Sequence, residues 1–156
     1  MQTLEITNEE KLQCASQYVS YIRSLACRKA SREQEIESLR NTLGSTLSTL
    51  GIRISKSPSP DAIPNTVIRL DAIIATYEME LAEYVQGLEQ FIQAIDQLEP
   101  LHAQVLTLHY VDGLEYLEVA ERIGYNISHV YRLRAAALIA LYDVMPYEWR
   151  FAKDDS

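Results

Sequence analysis

Apolar residues recur three and four positions apart along nearly the whole chain, the spacing of one buried face on an α-helix. Thr7 followed by Glu10 is a capping box: hydroxyl and carboxylate each satisfy an orphan backbone N–H at a helix start. From Tyr18 the pattern runs Tyr18, Ile22, Leu25, then Ile36, Leu39, Leu43, Leu47 and Leu50. It is close to a heptad, with a polar interruption at Lys29 and Arg32 that predicts a kink or two separate helices around Ser31. Gly51 ends the pattern, and the Ser/Pro-rich stretch to about Pro64 predicts a loop, because proline lacks the N–H and restricts the residue before it.

The next segment holds the most regular pattern. Leu70, Ile74, Tyr77, Leu81, Tyr84, Leu88, Phe91, Ile95 and Leu98 alternate spacings of four and three, which predicts one helix of roughly 30 residues, about 45 Å long. Two long amphipathic helices joined by a reversing loop pack most simply as an antiparallel hairpin. Their stripes serve either as that hairpin's own core or as a seam with a second subunit, since a two-helix hairpin alone buries little surface. Leu70, Ile74, Tyr77, Leu81, Tyr84 and Leu88 are the candidate oligomerisation residues, and two hairpins would make a four-helix bundle.

Pro100 closes this helix and suits the first turn of another, from about Leu101 to Val111. Asp112 and Gly113 supply a stop and a turn. Two further helical patterns, 115–123 and 127–144, follow with only Gly124, Tyr125 and Asn126 between them. The expected architecture is therefore all-α: a coiled-coil-like helical hairpin over 1–98, with its loop at 51–64, then a compact helical domain over 99–156.

The run GLEYLEVAERIGYNISHVYRLRAAAL has the spacing that a helix-turn-helix needs for packing. Two helices that cross over a three- or four-residue turn require a small residue at the crossing, here Ala120, and a permissive backbone in the turn, here Gly124. Val119, Ile123, Tyr125, Val130 and Leu133 are expected to face inward. Asn126 is placed to cap the second helix, which would project Ser128, Tyr131, Arg132 and Ala135 outward with His129 on the flank. Asn126, Ser128, His129, Tyr131, Arg132 and Arg134 are the candidate DNA-contacting residues. Arg132 has the reach to bond a guanine edge, Arg134 to clamp a phosphate, and Tyr131 to meet a thymine methyl or the backbone. Equally, both arginines have Glu118 and Glu121 nearby as surface partners.

Taken from Leu98, the run LEPLHAQVLTLHYVDGLEYLEVAERIGYNISHVYRLRAAALIAL resembles region 4 of the sigma-70 factors over about 45 residues. With the upstream helices and the Ser/Pro loop, the chain is similar to short phage and prophage proteins with a sigma-like C-terminus, grouped with regulators of phage late-gene transcription. That resemblance implies binding near a phage promoter and control of host RNA polymerase. Two features depart from the pattern. Arg132 and Arg134 are followed by three alanines rather than more basic residues, and Glu115 stands where a Ser or Thr cap is common. The residues before 98 leave no room for the promoter-melting region of a complete sigma factor.

Charge changes the picture. The 156 residues carry a net charge of −8, whereas non-specific DNA affinity comes mainly from Lys and Arg displacing phosphate counterions. Residues 1–98 hold 9 basic and 13 acidic side chains and residues 99–156 hold 5 and 9, so any DNA contact is expected to be local and few-pointed. Dimerisation would compensate by making the second half-site contact effectively intramolecular. Acidity equally suits an interaction module that holds RNA polymerase or another regulator and scarcely touches DNA, and a helix-turn-helix with helical oligomerisation also occurs in small terminase subunits.

No uncharged apolar run approaches the 18 or so residues that span a bilayer, and the N-terminus lacks a secretory pattern. A cytoplasmic protein associated with the bacterial nucleoid, without membrane contact, is expected. Cys14 and Cys27, 13 residues apart on different sides of a helix, form neither a redox pair nor a metal knuckle. His102 and His109 lie seven apart, about 10 Å along a helix axis, too far for a shared ion. With no nucleophile–base pair or Gly-rich phosphate loop, the expectation is a non-enzyme without metal or cofactor.

Overall fold

The computed structural model describes residues 5–52 and 62–150, with side chains excepted at 46–52 and 62–64, and these residues are mostly helical with no strand. Six α-helices follow one another: α1 Asn8–Ile52, α2 Ala62–Ile95, α3 Pro100–Leu106, α4 Tyr116–Ile123, α5 Ile127–Tyr142 and α6 Tyr147–Arg150, with a π-helical segment, Thr107–Val111, continuing α3. The all-α expectation holds. By contacts the chain forms two compact units, one of Met1–Ser24 with Gln86–Ser156 and the other of Leu25–Val85. Both α1 and α2 contribute to each.

The capping box opens α1: Thr7 N donates to Glu10 Oε2 and Glu10 N to Thr7 Oγ1, both at 3.2 Å. From there the helix runs unbroken for 45 residues, about 68 Å at 1.5 Å per residue. The chain does not divide into two helices around Ser31. Lys29 pairs with Glu33 one turn on, and the Arg32 guanidinium bonds Glu35 at 2.8 Å and Glu80 of α2 at 3.2 Å. The polar stretch is thus an ion-paired section of one helix, where i,i+3 and i,i+4 pairs support helical geometry. Gly51 and Pro64 also lie within helices rather than in the loop, Pro64 in the first turn of α2, where a missing N–H costs nothing. Residues 53–61 of the expected loop fall outside the described residues.

In the Leu25–Val85 unit, α1 and α2 meet along a seam whose middle is polar. Tyr77 donates its hydroxyl to Glu33 Oε1 at 3.1 Å, and Lys29 Nζ lies 5.8 Å from the centre of the Tyr84 ring. Ile36 is buried, but Leu70, Ile74, Tyr77, Leu81 and Tyr84 are only half-buried. A groove of about 840 Å³ has Ile36, Ile74, Tyr77 and Leu81 as its apolar floor. Leu88 belongs to the other unit, where it packs against the main core.

That core joins the first turns of α1 (Cys14, Ala15, Tyr18, Val19, Ile22) to the end of α2 (Phe91, Ala94, Ile95), to Leu106, and to Ala137, Leu138, Leu141 and Tyr142 of α5. The tail folds back onto α1: Trp149 stacks on Tyr21 and Tyr18, with ring centres 4.9 and 5.7 Å apart. Tyr142 is buried and donates its hydroxyl to Arg150 O at 2.8 Å. Ile139 is half-buried, and Phe151 lies outside the described residues. Cys14 is buried and Cys27 exposed, both as free thiols. No helix among the described residues is long and apolar enough to cross a membrane.

Candidate nucleic-acid interface

A second, smaller core holds the helix-turn-helix together. Val119, Ala120 and Val130 are buried, with Leu108, Leu114, Tyr116 and Ile123 packed around them. Ala120 sits where α4 and α5 approach, and its carbonyl accepts from both Gly124 N at 3.0 Å and Tyr125 N at 3.1 Å. Gly124 closes α4 in the left-handed region, φ +77°, which a residue with a Cβ adopts only at a cost. As the third residue of the turn, Asn126 caps α5: its Oδ1 accepts from His129 N at 2.8 Å. The cap occupies the amide oxygen, so two N–H donors are what Asn126 has left to offer a ligand. Glu115 occupies the N-cap of α4 without a side-chain bond.

Ser128, Tyr131 and Arg132 stand exposed on the first two turns of α5, with His129 half-buried beside them. Arg132 makes no hydrogen bond or ion pair with another described residue. Arg134 behaves differently. Its Nε donates to the Tyr110 hydroxyl at 3.0 Å and its guanidinium lies 5.8 Å from the Tyr116 ring centre. Neither arginine pairs with Glu118 or Glu121. Tyr125, expected inside, is 45% exposed and lies 4.6 Å from the His129 ring. The turn displaces it, because the left-handed Gly124 directs the chain outward before α5 begins.

Behind the exposed face runs a stack of rings. His109 of the π segment lies 4.0 Å from Tyr116, nearly parallel, and Tyr116 lies 4.9 Å from Tyr131. The His109 Nδ1 is 2.8 Å from Leu114 O. A carbonyl only accepts, so Nδ1 carries the proton and Nε2 the lone pair. Burial lowers the His109 pKa below its ordinary value and the charges of Arg23 and Arg134 lower it further, against the Leu114 bond and Glu115. Burial, with Tyr110 beside it, pushes the Tyr116 phenol up to about 12. At neutral pH both are uncharged, and the stack buttresses Tyr131 without adding a charge.

This geometry is that of a helix-turn-helix with a ready recognition helix, the class of DNA-binding unit. Residues 88–141 match the family described as Sigma-70, region 4. The match begins in the last turns of α2 and ends near the close of α5, about a third of the chain. The C-terminal part therefore carries a sigma-70 region 4 domain, a class that binds DNA and RNA polymerase. No curated protein and no solved structure matches the chain.

Proposed function

We propose that the chain is a sequence-specific transcription regulator of phage type, which reads promoter DNA with the N-terminal half of α5 and does so together with host RNA polymerase. The observation that carries this is the state of α5: a capped N-terminus presenting Ser128, Tyr131 and an unpartnered Arg132 within a sigma-70 region 4 domain. Helix N-termini aim free N–H groups and a positive dipole end at phosphates, and an unpaired guanidinium on the first turns has the bidentate geometry for a guanine edge. The Leu25–Val85 hairpin, whose seam is only half-buried, serves as the pairing region of a homodimer. Leu70, Ile74, Tyr77 and Leu81 gain cover when a second hairpin lies against them.

A second reading has its own support. With Arg134 held by Tyr110, and with Glu115, Glu118 and Glu121 exposed on and beside α4, the domain has few cations to give to DNA and suits a basic protein surface. Fluorescence anisotropy with duplexes tiled across the gene's own neighbourhood, at two salt concentrations and with scrambled competitor, separates the two. One fragment bound well above the scrambled control supports the promoter reader. No binding even at low salt sinks it and leaves the protein-partner reading.

A further inference from the structure

Tyr131, on the second turn of α5, is 50% exposed, yet its ring is held from behind. It meets Tyr116 with ring centres 4.9 Å apart and planes tilted by 53°. Tyr116 lies in turn on His109, 4.0 Å away and nearly parallel at 21°. His109 is itself fixed twice: Nδ1 donates to Leu114 O at 2.8 Å, and the Tyr110 ring packs against it edge to face, centres 4.6 Å apart. The Tyr110 hydroxyl accepts from Arg134 Nε at 3.0 Å, and Arg134 lies one turn beyond Tyr131 on the same helix. The contacts therefore close a circuit that leaves α5 at Arg134 and returns to it at Tyr131. Its far side is the π segment, where Asp112 N donates to Thr107 O at 2.9 Å, an i→i+5 bond that widens the turn carrying His109 and Tyr110. Such turns interrupt a regular helix and recur at functional sites.

The core beneath the helix-turn-helix is built by Val119, Ala120 and Val130, whereas His109, Tyr110 and Tyr116 are half-buried and reach past it to the base of an exposed ring. A surface tyrosine otherwise samples several rotamers, and ordering it on binding costs affinity; a ring held beforehand avoids that cost. Tyr131 shares its exposed face with Ser128 and Arg132, and in a major groove the base-edge group suited to an aromatic face is the thymine methyl. We infer that Tyr131 is a specificity-determining residue that reads a thymine 5-methyl group, and that Tyr116 and His109 are positioning residues that hold its ring for that contact. This deepens the promoter-reading proposal and rests on it.

The test is binding of the full chain to scrambled duplex and to its best duplex, with each thymine in turn replaced by deoxyuridine, which removes the 5-methyl alone. Wild type should lose about fourfold in affinity at one position, the worth of burying one such carbon. Tyr131→Ala should abolish that loss, and Tyr131→Phe, which keeps the ring, should retain it. Tyr116→Leu, which keeps apolar bulk against the small core but not the stack, should shrink the loss while still preferring the site over scrambled duplex, and Tyr116→Phe should restore it. His109→Asn, which keeps an N–H for Leu114 O, should shrink it likewise and reads the same link if Tyr116→Leu does not fold. No deuridine-sensitive position in wild type, or an undiminished loss in Tyr131→Ala, Tyr116→Leu or His109→Asn, overturns the inference while leaving the promoter reader intact. So does a Tyr131→Phe chain that binds thymine and deoxyuridine duplexes equally weakly, the mark of a phosphate contact through the hydroxyl, or a folded Tyr116→Leu chain that no longer prefers the site at all. Wild-type chain that binds no duplex overturns both.

Discussion

Two arginines separated by one position do different work. Arg134 is held against Tyr110 and Tyr116, whereas Arg132 stands clear of every described partner. Arg132→Ala should thus weaken binding to the specific site by about 1–3 kcal/mol with little effect on scrambled duplex, read by competition anisotropy. Asn126→Ala should cost about 1 kcal/mol of stability through loss of the α5 cap, read by urea denaturation. His109 adds a pH dependence. Its folded pKa lies below the unfolded value of about 6.5, so between the two the unfolded chain binds the proton and the native chain does not. Stability from this group is fully present above about pH 6.5 and falls with pH toward the lowered native value. Melting temperatures should drop between pH 7.5 and 5, and Asn in place of His109, which keeps an N–H for Leu114 O, should lessen the drop. The Asn126 cap was legible in sequence because its chemistry spans three residues. The engagement of Arg134 was not, since Tyr110 lies 24 positions away, and His109, Tyr116 and Tyr131 spell no motif until the fold brings their rings together.

At the level of elements, local spacing foretold most helices and non-local pairing explains the exceptions. Heptad positions marked both long helices, Pro100 and Asn126 marked starts, and Gly124 marked a stop, because each signal acts within a turn or two. Two separate helices did not form near Ser31, where Arg32 also bonds Glu80 on the facing helix, a partner invisible to a window moving along the sequence. Tyr125 misled for a related reason: apolar spacing carried across a turn assumes a continued helical phase, which Gly124 interrupts. The left-handed glycine itself is open to test. A Cβ at Gly124 would meet nothing within 4 Å, so Gly124→Ala should cost about 1–2 kcal/mol through backbone strain alone, and the denaturation midpoint should fall without a change in the slope against denaturant. A much larger loss would mean that the turn repacks.

For the whole molecule, the separation of charge from function is the governing fact. Net charge is −8, and in the unit that carries the sigma-70 region 4 domain Arg23, Arg122 and Arg132 are the described arginines without a hydrogen bond or ion pair. If these three supply the phosphate contacts of the proposed promoter reader, the salt slope is about −3 per bound chain, doubled if two chains bind together. Sedimentation of the complex supplies the stoichiometry, and a slope beyond that limit would show that other cations take part. Sequence alone exposed the shortage of positive charge but not which cations find partners, because Lys11 meets Asp143 and Arg150 meets Met145 O only once the chain folds. A sparse set of free cations also shapes how a site is found. Under the promoter-reading proposal, a chain with so little hold on arbitrary DNA would spend short intervals sliding along the genome, and its encounters would proceed at ordinary, unsteered rates of about 10⁵–10⁶ M⁻¹s⁻¹. Occupancy of a promoter would then follow the number of copies in the cell, or a partner already waiting there, so that timing of expression becomes the control variable.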